Sequence, residues 1–233
     1  MDTFTTQFTA KATDETLPKK AKESDSILNY YGIVLDESGS MYYTKADTIG
    51  SLNSFHGEQQ NVFDGGSPFI VHTFSNDVRC SYDRTLNYSL ETLEYKPSGS
   101  TALYDAIKTS IQHAEKHISE MSQKPEGVFI IILTDGAENS SKECTLDNVK
   151  TLFSKYKEIG WQFVFLGANQ DAILTGHEMG LERGQCLSFN QSTQAQYSAM
   201  RSVSSAVKRH VTSTESQAVE FNDVERTESI QPF

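Results

Sequence analysis

Two hydrophobic rhythms alternate along this chain. Residues 30–35, 69–74, 128–133 and 161–166 are apolar on mostly consecutive positions. Unbroken apolarity over so short a run marks a strand covered on both faces, as at the centre of a parallel sheet. Elsewhere the apolar positions step by three or four. Leu103, Ile107, Ile111, Ala114, Ile118 and Met121 form one such stripe, and Leu146, Val149, Leu152, Phe153, Tyr156 and Ile159 form another. Stripes of this width predict helices packed by one face on a sheet. Gly160 stands where the second of these helices should end.

The same reading places helices at about 44–62, 171–179 and 193–210, the last with Tyr197, Met200, Val203 and Val207 inward, and strands at 29–35, 78–86 and 186–189. Only Ser75-Asn76-Asp77 separates the second strand from the third. A turn that short makes a hairpin, so the third strand should be antiparallel and at an edge. The order strand, helix, strand, strand, helix, then alternating strands and helices predicts an α/β fold. The expected architecture is a doubly wound, mostly parallel sheet of about six strands, with one antiparallel edge strand and helices on both faces. Residues 27–211 would form this domain. Residues 1–26 and 212–233 are polar and poor in large apolar side chains, which predicts a flexible N-terminal arm and a disordered C-terminal tail.

Composition narrows the function. The formal net charge is −11, and no stripe of Lys and Arg could track phosphates, which argues against a nucleic-acid partner. No apolar run is long enough to cross a bilayer, and Lys19, Lys20 and Lys22 are followed by no apolar signal core. Cys80, Cys144 and Cys186 stand singly, an odd number without paired spacing, as in a reduced compartment. A cytoplasmic protein without membrane association is expected.

The candidate chemistry lies where buried strands run out. The first strand leads into Asp36-Glu37-Ser38-Gly39-Ser40, and the run 128–133 is followed two residues later by Asp135. Ligands of open α/β sheets bind beyond the carboxyl ends of the strands. Asp36, Ser38 and Ser40 alternate by two, so an extended loop would point all three the same way, and Gly39 permits a tight turn between the serines. Thr101 opens the helix after a Gly-containing turn, where a hydroxyl is also a common cap. Carboxylates and hydroxyls without His or Cys fit a hard cation such as Mg²⁺, Mn²⁺ or Ca²⁺, and not a structural zinc.

Asp36-x-Ser38-x-Ser40, Thr101 within Gly-Ser-Thr-Ala-Leu-Tyr-Asp-Ala, and Asp135 within Leu-Thr-Asp-Gly together resemble the metal-ion-dependent adhesion site of von Willebrand factor type A domains. The resemblance covers about residues 29–210 and keeps the family's order of motifs. It implies a Rossmann-like fold and a coordination set of Asp36, Ser38, Ser40, Thr101 and Asp135, acting directly or through water. It also implies a non-catalytic module that binds a protein partner through the cation, with Glu or Asp of the partner completing the shell. The bare domain with polar tails resembles intracellular bacterial or phage members. Tail residues Glu215, Glu220, Asp223 and Glu225 would then be candidate ligands for the cation of another copy.

Other readings fit less well. An EF-hand starting at Asp36 would need Gly at position 41, where Met41 stands, and a helix before it. A Mg²⁺-dependent phosphoryl-transfer enzyme with Asp36 as nucleophile would need a second acid at position 38, a Lys after the strand 161–166 or a phosphate loop, and none is present. In a third alternative, a structural or assembly protein, the cation would only pin the loops. His113 and His117 are four apart but lack Glu directly after the first His, so they read as a solvated helix face. His72 reads as a satisfied core residue, and Tyr42 and Tyr43 as packing on the first helix or as an aromatic rim for a partner, where Tyr is enriched. Asp105 is read as holding a water, orienting a ligand or facing solvent.

Overall fold

The computed structural model of the protein describes residues 27–168, 171–213 and 218–230. Six strands form one sheet: β1 (Asn29–Asp36), β2 (Pro68–Phe74), β3 (Val78–Thr85), β4 (Gly127–Thr134), β5 (Gln162–Ala168) and β6 (Cys186–Phe189). Their order is β3-β2-β1-β4-β5-β6, and every neighbouring pair is parallel except β2 with β3. All residues of β1, β2, β4 and β5 are buried, which is why their apolar positions are consecutive. β3 buries only Tyr82, as an edge strand with one solvated face does.

The helices are α1 (Lys45–Val62), α2 (Leu103–Glu120), α3 (Leu146–Glu158), α4 (Ala172–Glu178), α5 (Thr193–Thr212) and α6 (Asp223–Ile230). The strand side chains alternate between two cores. Tyr31, Ile33, Leu35, Phe129 and Val164 join Phe55 of α1 and Val203 of α5 on one face. Tyr30, Val34, Ile70, Ile130 and Phe165 join Ile107 of α2 and Phe153 of α3 on the other. This is the doubly wound α/β fold read from the sequence. The chain runs outward from β1 to β2 and β3, then crosses back to place β4 on the other side of β1. Strand order therefore reverses between β1 and β4, and a crevice opens beyond their carboxyl ends.

Three expectations need correction. Tyr197 does not point inward but is exposed, with Gln196 buried in its stead; Met200, Val203 and Val207 are buried as expected. Its hydroxyl lies against α1 at Gly50, where a Cβ would come within 2.1 Å of it. Ile159, read as part of the α3 stripe, is exposed because the helix has already ended at Glu158. The tail expected to be disordered carries α6, and Val219 and Phe221 before it are buried. What the composition concealed is a polar clamp: Arg209 of α5 donates to both carboxylate oxygens of Glu225 at 2.7 and 2.9 Å and to the Glu220 carbonyl. Glu225 is thus committed inside its own chain and is no ligand for another copy. The N-terminal arm, 1–26, lies outside the described residues, as do 214–217 and 231–233 of the tail.

Candidate metal centre

Asp36 is the last residue of β1, in register with Phe74 of β2, and its side chain is fully buried. Each of its oxygens accepts a hydrogen bond. The Ser38 amide donates to Oδ1 at 2.7 Å, and Thr134 Oγ1, at the end of β4, donates to Oδ2 at 2.5 Å. Burial pushes the Asp36 carboxyl up to about 6; the bonds from Thr134 and Ser38 oppose that rise, and nearby Asp135 adds to it. Tyr95 Oη donates to the Asp36 carbonyl at 2.6 Å, fixing the backbone below the carboxylate.

From Asp36 the chain turns through Ser38 into a 3₁₀ turn, Gly39–Thr44. Ser38 Oγ and Ser40 Oγ lie 3.0 Å apart, and Ser40 Oγ donates to Asp135 Oδ1 at 2.5 Å. Gln191 holds the other Asp135 oxygen through Nε2 at 2.8 Å. Thr101 approaches from the third segment: a Cβ added at Gly136 would sit 3.2 Å from Thr101 Oγ1 and 3.9 Å from Asp36 Oδ2. All five residues singled out in the sequence thus converge on one crevice.

The loops around them are braced. Gly39 donates its N–H to the Gly99 carbonyl at 3.1 Å, and Gly99 has φ +82°, a conformation that a side chain resists. The Thr101 amide donates to Asn139 Oδ1 at 2.9 Å, and the Asn139 amide returns a bond to the Thr101 carbonyl. Glu37, buried behind the loop, takes a bidentate bond from Arg79 and a short bond from the Lys96 amide. Glu138 accepts from the amides of Tyr104, Ser140 and Ser141. Asp105 is half-buried; it accepts from the amides of Lys142 and Glu143 and fastens that loop to α2. Sequence reading missed Thr134, Asn139, Gln191 and Tyr95. Thr134 stands next to Asp135 and could have been weighed with it, whereas Gln191 and Tyr95 carry no local signal.

The site fits a hard cation on the chemistry of its donors. The side chains of Asp36, Ser38, Ser40, Thr101 and Asp135 offer only oxygen, and no Lys or Arg among the described residues pairs with Asp36 or Asp135. Adjacent ligands of an octahedral Mg²⁺ at about 2.1 Å stand about 3.0 Å apart, the separation of the two serine hydroxyls.

The family model described as von Willebrand factor type A domain matches residues 32–205. The chain belongs to this family. Solved structures of such domains share its fold. Proximal thread matrix protein 1 from the mussel byssus, solved "with zinc occupied MIDAS motif", is 16% identical over 76% of this chain and 47% of its own, with a TM-score of 0.61. The von Willebrand factor domain of the type V pili tip protein Mfa5 from Porphyromonas gingivalis is 9% identical over 82% of this chain and 99% of its own, also at 0.61. A von Willebrand factor type A protein from Catenulispora acidiphila is 16% identical over 77% and 42%, at 0.54. The chain spans about half the length of the mussel protein or less of the Catenulispora protein. No curated protein matches it. Among the described residues of this type A domain, no helix is long and apolar enough to cross a membrane.

Of the two readings of Tyr42 and Tyr43, packing on the first helix is not what the structure shows: both are exposed, at 64% and 92%, ring edge to ring face, directly after the serine loop. The 3₁₀ turn buries Met41 and Thr44 on its inner side and so turns both tyrosines outward.

Proposed function

We propose that Asp36, Ser38, Ser40, Thr101 and Asp135 hold a hard divalent cation, Mg²⁺ with Mn²⁺ or Ca²⁺ as substitutes, directly or through water, and that the cation accepts a Glu or Asp of a protein partner. The convergence of three distant segments, with the serine hydroxyls 3.0 Å apart and Ser40 2.5 Å from Asp135, carries this reading. With Asp36 and Asp135 acting through water, or only one of them binding directly, the first shell is mostly neutral hydroxyl and water, and an incoming carboxylate meets uncompensated positive charge. Tyr42 and Tyr43 flank the position as an aromatic rim, a residue type enriched in protein interfaces. Both Asp36 oxygens already accept hydrogen bonds, which favours a ligand or ligand-orienting role over that of a nucleophile.

Affinity capture in Mg²⁺ tests this. A partner should be retained in Mg²⁺, released by chelator and missing with Asp36→Ala. Retention that survives both chelator and the substitution would defeat the reading. A partner lost on chelation but still bound by a Glu- and Asp-free variant of its contact segment would defeat the acidic-residue part.

A further inference from the structure

The face of the sheet covered by α2 holds a second cluster of ligand atoms, of different chemistry. His72 of β2 is 2% exposed; its Nε2 lies 3.0 Å from His113 Nδ1 of α2, and its Nδ1 has no partner among the described residues. Cys80 joins them through a β-bulge. Tyr82 pairs with Val71 but Cys80 with His72, leaving Ser81 as the extra residue in β3. Without the bulge Cys80 and Tyr82 would share a face. With it, Tyr82 enters the α1 core while the Cys80 thiol turns to the α2 side. One ligand atom from each of His72, Cys80 and His113 lies within 4.8 Å of the other two.

The solvated-face reading of His113 is therefore wrong, and so is the satisfied-core reading of His72. The two imidazoles share one hydrogen bond, and the buried Nδ1 of His72 is left without a partner among the described residues, an arrangement that costs free energy. Burial, with a smaller contribution from His113, pushes the His72 imidazole down to about 4, so it is uncharged at neutral pH. Tyr30 Oη, close by, is also buried without a partner among the described residues. On the far side of His113, Asp83 Oδ2 stands 3.4 Å from Nε2. A carboxylate on the second nitrogen of a metal-binding histidine fixes the ring and raises its basicity.

We propose that His72, Cys80 and His113 form a second metal site, distinct from the candidate centre at the crest of the sheet beyond β1 and β4, that takes a borderline-soft divalent ion of the zinc class. Asp83 orients His113, and water completes the shell. Two nitrogens and one thiolate suit zinc, and two imidazole nitrogens on a tetrahedral zinc are about 3.3 Å apart, close to the spacing present. On binding, the Cys80 thiol releases its proton to solvent, so affinity falls in acid. Asp83, His113 and His117 make a neighbouring group of the same span, but it lacks the thiol and the buried imidazole.

Cobalt(II) tests the proposal, because thiolate ligation gives a charge-transfer band that oxygen and imidazole ligands do not. The chelator-stripped, reduced full chain is titrated with Co²⁺ in excess Mg²⁺, which occupies the crest. One equivalent should produce tetrahedral ligand-field bands with the thiolate band, and Zn²⁺ should bleach both. Cys80→Ser should abolish the thiolate band, and His113→Ala should weaken Co²⁺ binding at least about tenfold. Thr101→Ala should leave the spectrum unchanged. Cys80 is exposed, so Cys80→Ser should fold, as its circular dichroism would verify. The proposal is overturned if stoichiometric Co²⁺ gives no thiolate band, if the band persists in Cys80→Ser, or if Thr101→Ala removes it. Ligand-field bands alone, lost in His117→Ala, would place the ion on the neighbouring group and overturn it as well.

Discussion

The crest of the sheet and the pocket under α2 both gather ligand atoms from three segments, yet they differ in kind. At the crest the donors are oxygen throughout, held by backbone amides and hydroxyls at the ends of β1 and β4. Under α2 they are nitrogen and sulfur, carried by a buried strand, a bulged edge strand and a helix. A loop beyond a strand end can present a local motif to solvent and a partner. Side chains that cross from a sheet to a covering helix make a site held by packing at His72 and open at Cys80, suited to stability more than to capture.

Metal response should separate the two most strongly. At Mg²⁺ about 100 times its Kd, binding to the native state alone adds about 2.7 kcal/mol, or roughly 5–10 °C in Tm for a chain of this size. Asp36→Ala should remove that gain while Cys80→Ser keeps it. Loss of the Mg²⁺ shift in both variants would mean that the two sites are one.

Acid supplies the next contrast. His56 of α1 is buried with Nε2 unpartnered, edge-on to Phe69, and burial pushes its imidazole down to about 4. The unfolded chain takes up this proton first as pH falls through about 6.5, so the native state loses stability from there down to about 4. The metal-free protein should lose on the order of 3 kcal/mol across that window through His56. Denaturant titrations at pH 7 and pH 4.5 should show a smaller loss in His56→Gln. His56 has no thiol or second imidazole beside it, so zinc should leave its share untouched, whereas zinc bound under α2 should make stability more acid-sensitive.

Gly99→Ala acts on the crest alone. Its φ of +82° and a Cβ only 3.0–3.1 Å from Asn76 strain the loop that Gly39 donates to. The substitution should cost about 1–2 kcal/mol by chemical denaturation and weaken Mg²⁺, without changing a cobalt–thiolate spectrum. Smallest of all, Cys80→Ser in metal-free protein should change stability by less than about 0.5 kcal/mol, since Cys80 is an exposed residue of an edge strand. A larger loss without metal would show that Cys80 matters to β3 itself.

The sequence on its own determined the alternation of strands and helices, because burial on both faces leaves consecutive apolar residues and burial on one face leaves a stripe. It also brought Asp36, Ser38, Ser40, Thr101 and Asp135 into view, since each sits in a short motif at the end of an element. Tertiary structure alone decided the rest. Gln191 and Tyr95 reach the crest from remote positions with no local mark. The outward turn of Tyr42 and Tyr43 depends on which side of a 3₁₀ turn finds a core. The helix α6 needs Arg209 opposite Glu225, a pairing that composition does not reveal. His72, Cys80 and His113 meet only because a single extra residue, Ser81, reverses the facing of an edge strand. Local pattern records how much of each side chain is covered, but which distant side chain covers it is settled by register and packing.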